Sequence, residues 1–116
     1  MNLQTLMDAL NLKVLTETQD FSAIQVKTGY TSDLLSCVMT GAKSNSVWVT
    51  LMAHGNIVAV SALLDLAAII ITENAQPDEE TILKANEEGV VLLSTPQQTF
   101  NIVGRLWELG LRNNLD

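Results

Sequence analysis

His54 and Cys37 are the side chains of this sequence best suited to acid–base or nucleophilic work, and each residue type occurs once. A cysteine–histidine pair needs a thiolate. Cys37 sits in an expected helix among Leu34, Leu35, Val38 and Met39, where apolar surroundings favour the protonated thiol, so it reads as core. No Cys or His lies at metal-ligand spacing from His54, so neither a metal site nor a cofactor is expected. His54 stays a candidate acid–base group for a small enzyme working at strand ends. Gly41-Ala42-Lys43-Ser44 ends like a phosphate-binding loop. However, Ala42 stands where the second glycine must be, and the segment leaves a helix instead of joining a strand to one. There is no G-x-G-x-x-G dinucleotide fingerprint.

A second group of polar residues falls where strands are expected to end: Gly29, Ser32, His54, Asn56, Ser94 and Thr95. Ligands of parallel sheets collect at the carboxyl ends of strands, and the free N–H groups of helix N-termini attract anions. These residues are therefore candidates for binding a small anionic metabolite or nucleotide. The expected focus is the rim of His54, Asn56, Ser94 and Thr95, where two helix N-termini would converge if the third and fifth strands lie close together. The plainer reading is that Ser32, Asn56 and Thr95 cap helices and His54 occupies a turn.

The elements that must hold these residues are organised around Ser46 to Glu73. Val47, Val49 and Leu51 make a β-rich run, His54-Gly55-Asn56 breaks it, Ile57 to Ala67 has helical apolar spacing, and Ala68 to Thr72 suits a strand. This is a βαβ unit, and its near-continuous apolar strands imply a parallel sheet covered on both faces. Upstream, Leu3, Leu6, Met7 and Leu10 predict a helix between Asn2 as cap and Asn11 as stop. Leu12–Leu15 and Ala23–Lys27 read as strands. Thr31, Ser32 or Asp33 caps a helix through Leu34, Leu35, Val38 and Met39 that ends at Gly41. Downstream, Asp78 and two acids open a helix closed by Gly89, Val90–Leu93 is a strand, and Thr95-Pro96 starts the last helix, which runs to about Leu109. Residues 113–116 read as a loose tail. The expected fold is α/β and three-layered: one domain over residues 1–116, with a mainly parallel sheet of about five strands and helices on both faces.

Thirteen acidic residues against six basic ones leave a net charge of -7. Without a basic cluster, nucleic acid is not an expected partner. The N-terminal segment carries Asp8 and no positive region, so it does not read as a signal peptide, and no apolar run suits a membrane span. The single cysteine fits a reducing, cytoplasmic setting.

Gly29-Tyr30, Ser32-Asp33-Leu34-Leu35-Ser36, Val47-Trp48-Val49-Thr50, His54-Gly55-Asn56-Ile57-Val58-Ala59-Val60, Pro77-Asp78-Glu79-Glu80-Thr81 and Leu93-Ser94-Thr95-Pro96 together closely resemble the DRTGG domain family. The resemblance spans about Leu12 to Leu111. Of the name-giving Asp, Arg, Thr, Gly and Gly, Thr28-Gly29 stands for part. Tyr30 replaces a glycine, and no Asp-Arg pair precedes them. The family is similar to the N-terminal, non-catalytic domain of the bacterial phosphocarrier-protein kinase/phosphorylase. The resemblance therefore implies a regulatory, ligand-sensing or dimerising module, not an enzyme, in a prokaryotic cytoplasm. Stand-alone members also resemble accessory proteins of iron-only hydrogenases, which implies, as an alternative, a subunit of a larger redox assembly.

A homodimer is expected as well. The helix from Ile57 has only Ser61 and Asp65 as a polar stripe, which points to Val60 and Leu64 as interface residues, and Phe100 and Trp107 widen the apolar surface of the last helix.

Overall fold

The computed structural model describes residues 1–113; the expected tail beyond Asn113 lies outside the described residues. Five helices and five strands follow in the order α1 (Leu3–Leu10), β1 (Lys13–Val14), β2 (Thr28–Thr31), α2 (Leu35–Gly41), β3 (Ser46–Thr50), α3 (Asn56–Leu64), β4 (Ala68–Ile71), α4 (Glu79–Glu88), β5 (Leu92–Ser94) and α5 (Thr99–Glu108). A short 3-10 turn, Phe21–Ala23, precedes β2. The sheet order is β1-β5-β4-β3-β2. β2 to β5 are mutually parallel, and β1 pairs antiparallel to β5 at one edge. This is the expected α/β sheet, and it places the first two strands at opposite edges.

Side chains alternate along each strand, which separates two cores. Val47, Val49, Ile70 and Leu93 meet Leu3, Leu6, Met7 and Leu10 of α1 and Ile102 and Leu106 of α5. Trp48, Ile69, Ile71 and Leu92 meet Val38 of α2, Ile57, Val58 and Val60 of α3, and Ala85 of α4. The three crossover helices thus share one face, as crossovers of a single hand require. No helix among the described residues is long and apolar enough to cross a membrane.

Local signals hold where their partners are near in sequence. Asn2 accepts the Thr5 amide proton and Asn11 ends α1 in the left-handed region at φ 52°. Asp78 caps α4 by accepting the Thr81 amide at 2.8 Å, and Gly89 closes that helix at φ 71°. Hydrogen bonds from the Thr81 side chain and then its amide hold the Asp78 carboxyl below its ordinary pKa, outweighing a small opposing effect of desolvation. A lowered folded-state pKa contributes stability that is fully present above the unfolded-state value and is lost as pH falls through the folded one. Asp78→Asn keeps an acceptor without the titration, so the acid limb of its stability–pH curve is expected to be shallower than wild type in urea melts between pH 5 and 2. Superimposable limbs would show that this cap is not linked to pH.

Four expectations are corrected. First, the strand read at Ala23–Lys27 is not in the sheet. Leu3 donates to the Ile24 carbonyl and Val26 to that of Met1, so this stretch pairs with the N-terminal arm. Its alternation reflects Ile24 and Val26 packing into the core that α1 covers. Gly29, read as lying at a strand end, lies inside β2, where a Cβ would come within 3.2 Å of Leu111.

Second, α5 begins at Thr99, not at Pro96. Thr95 donates its amide to the Ile71 carbonyl and so prolongs the β4–β5 ladder. Third, no side chain caps α2; Ser32 Oγ accepts the Leu34 amide just before that helix, and Asp33 is used elsewhere. Fourth, the polar stripe of α3 is not its solvent side. Ser61 is 2% exposed and Val60 8%, while Ala59, Ala62 and Leu63 face outward and Leu64 is half-buried. Asp65 is a left-handed C-cap. Val60 is therefore committed to the core between the crossover helices and offers little surface to a second copy.

Candidate functional site

The parallel strands β2 to β5 end along one side of the sheet, so His54, Asn56, Ser94, Thr95 and Ser32 all fall near that rim. They do not form one cluster. β4 lies between β3 and β5, which puts the third and fifth strands roughly 10 Å apart. α3 leaves onto the face it shares with α2 and α4, and α5 onto the opposite face. The two helix N-termini therefore diverge. His54 and Asn56 are exposed together at the start of α3, whereas Ser94 and Thr95 are buried.

Residues not expected at the site close this rim. Asp33 Oδ1 accepts the Thr50 hydroxyl at 2.7 Å and the Leu51 amide at 2.9 Å, tying the start of the α2 segment to the end of β3. The Thr72 hydroxyl lies 3.3 Å from the Thr50 carbonyl and 2.6 Å from the Thr99 hydroxyl. Glu73 Oε2 accepts the Thr99 amide at 2.7 Å and so acts as a carboxylate cap at the first residue of α5. Glu73 and Asn74 are consecutive left-handed residues, at φ 61° and 58°. Their amides donate to the Gln97 and Thr95 carbonyls, which hold this turn against the β5–α5 loop. The available signal was a threonine ending each of two apolar strands, Thr50 and Thr72. Among the described residues, no three His, Cys, Asp or Glu side chains come together as metal ligands.

Gly29 lies elsewhere, in the floor of a cleft of about 290 Å³ between β2 and α5. Thr31 and Val49 continue the floor, and Val103, Trp107, Leu111 and Arg112 form the walls. The Arg112 guanidinium sits 3.9 Å from the centre of the Trp107 ring and donates to the Leu111 carbonyl at 3.1 Å. The cleft thus has apolar walls and one cation fixed over an aromatic face, in a volume near the lower bound for small-molecule sites.

The DRTGG domain matches residues 5–109. No curated protein matches. Among solved structures, the fold is similar to the CBS and DRTGG domains of the regulatory region of Clostridium perfringens pyrophosphatase, a crystal structure in complex with its activator, diadenosine tetraphosphate. The TM-score is 0.72 at 15% identity, over 90% of this chain and 45% of that one. The present chain thus spans less than half of that regulatory region.

Proposed function

This chain belongs to the DRTGG domain family, and from that premise we propose that it is a non-catalytic, ligand-sensing regulatory module that works as a homodimer. The observation that carries this reading is the family match across nearly the whole fold. The similar pyrophosphatase region, regulatory and bound to a nucleotide activator, supports a small anionic metabolite or nucleotide as the ligand class. His54 and Asn56 are the part of the strand-end rim left open to such a ligand, beside the first amides of α3. A reducing cytoplasm is the compartment that suits the free cysteine.

A thermal-shift screen of nucleotides and phosphorylated metabolites tests the proposal. A ligand that binds only the folded state, at a hundred times its dissociation constant, adds about 2.7 kcal/mol of stability. A shift abolished by His54→Ala would locate the ligand at the rim. A shift abolished by Arg112→Ala instead would move it to the cleft. No shift across the screen, or transfer of labelled phosphate to a phosphocarrier protein by the purified chain, would overturn the reading.

A further inference from the structure

We propose that two copies pair about a two-fold axis through the outward face of α5, with Gly104 at the crossing point. The proposal rests on the homodimer reading above and names its surface. In α5, Ile102 and Leu106 point into the core, whereas Phe100 is 86% and Trp107 58% exposed on the outward side. Gly104 lies between these aromatics on the same stripe. Apart from proline, glycine is the poorest residue for a helix interior, and nothing in this chain calls for it at position 104. A Cβ there would meet no atom within 4 Å. By contrast, Gly41 is packed against the Tyr30 ring, Gly29 against Leu111, and Gly89 and Gly110 have positive φ. What Gly104 leaves is room above the helix for another backbone to approach.

The spacing suits a second copy of this chain. Phe100 and Trp107 are equally distant from the midpoint between Val103 and Gly104. In an antiparallel two-fold pair, the Phe100 ring of each copy therefore meets the Trp107 ring of the other, the reciprocal contact that an isologous interface requires. A hollow of about 380 Å³ beside Gly104, bounded by Phe100, Asn101 and Arg105, is open to the incoming aromatic side chain.

Charge selects the same face. Each copy carries -7 and repels another over most of its surface. Within α5 the charges are one of each sign, Arg105 and Glu108, so its outward face carries no net charge to repel its own copy. Of the four exposed leucines among the described residues, Leu34 and Leu51 lie at the strand-end rim beside Asp33, and Leu63 of α3 and Leu83 of α4 lie on the face that carries Glu79, Glu80, Glu87 and Glu88. Copies meeting on that face would bring like charges together.

Sedimentation equilibrium of the full chain without added ligand tests the pairing. The wild type is expected to be a dimer at micromolar concentration. Gly104→Leu, which fills the crossing point and whose Cβ would meet no atom of the monomer within 4 Å, and Trp107→Glu are each expected to weaken the dimer on the order of 100-fold. Both should retain the wild-type far-ultraviolet circular dichroism. Trp48 is fully buried, so the red shift of emission on dilution of the wild type is expected to come from Trp107 and to disappear in Phe100→Ala, which should be monomeric throughout. A wild type that sediments as a monomer, or a dimer whose dissociation constant is unchanged in both variants, would overturn the proposal. Either result leaves the ligand screen intact, and an empty ligand screen leaves this interface intact.

Discussion

Replacing Trp48 with alanine is expected to destabilise the fold by about 3–5 kcal/mol, the range for truncating a fully buried large aromatic residue. Trp48 lies in β3 on the face covered by α2 and α3, with no exposed surface, and its Nε1 donates to the Ser32 carbonyl at 3.0 Å. Two effects add in the alanine variant: the apolar transfer and cavity cost, and the loss of a partner for that carbonyl. Trp48→Phe separates them, because it refills most of the volume but orphans the acceptor at a cost of about 1–3 kcal/mol. For a domain whose whole stability is about 5–15 kcal/mol, the alanine variant should be partly unfolded at 37 °C. Urea melts of both variants supply the check. An alanine variant within about 1 kcal/mol of wild type would contradict the burial of this ring.

The second large effect is expected at Asp33. Its carboxylate accepts two hydrogen bonds from the end of β3, and removing a charged acceptor from such a pair costs about 1.5–3 kcal/mol. The loss should be local as well as global. Leu51 donates its amide to Asp33, and the residues after it lead to His54, so Asp33→Ala should speed hydrogen exchange at the Leu51 amide far more than at the Ile70 amide in the centre of the sheet. Asp33→Asn keeps one side-chain oxygen and should fall between alanine and wild type. Unchanged exchange at Leu51 in the alanine variant would show that Asp33 does not hold this turn. The same variant tests the rim, because a ligand that needs an ordered His54–Asn56 segment should lose affinity along with it.

The difference between Asp33 and Asp78 shows how much of this protein could be read in advance. The Asp78 cap was legible because its partner, Thr81, lies three residues along the chain, and a capping residue before a helical pattern is a local feature. Asp33 stood in an equally plausible capping position, but its partner is Thr50, on another strand. Glu73 is a parallel case: placed at the end of the hub, it caps α5 through Thr99. Gly41, read as the end of α2, is also where the Tyr30 ring packs.

Periodicity and capping residues determined the α/β class, the parallel βαβ hub and the caps of α1 and α4, and short motifs kept in order carried the resemblance to the family, because each depends on residues close to one another along the chain. Tertiary structure alone decided three matters. One is the strand order, which sets β1 and β2 at opposite edges and inserts β4 between the two strand ends expected to share a ligand. Another is the inward side of α3: with apolar residues almost all round, its pattern could not indicate which side faces the sheet until α2 and α4 packed beside it. The last is the network of Asp33, Thr50, Thr72, Glu73 and Thr99, whose members are up to 66 positions apart in the sequence. A hydrogen bond across such a separation carries no local signature, since what brings its partners together is the burial of the strands between them.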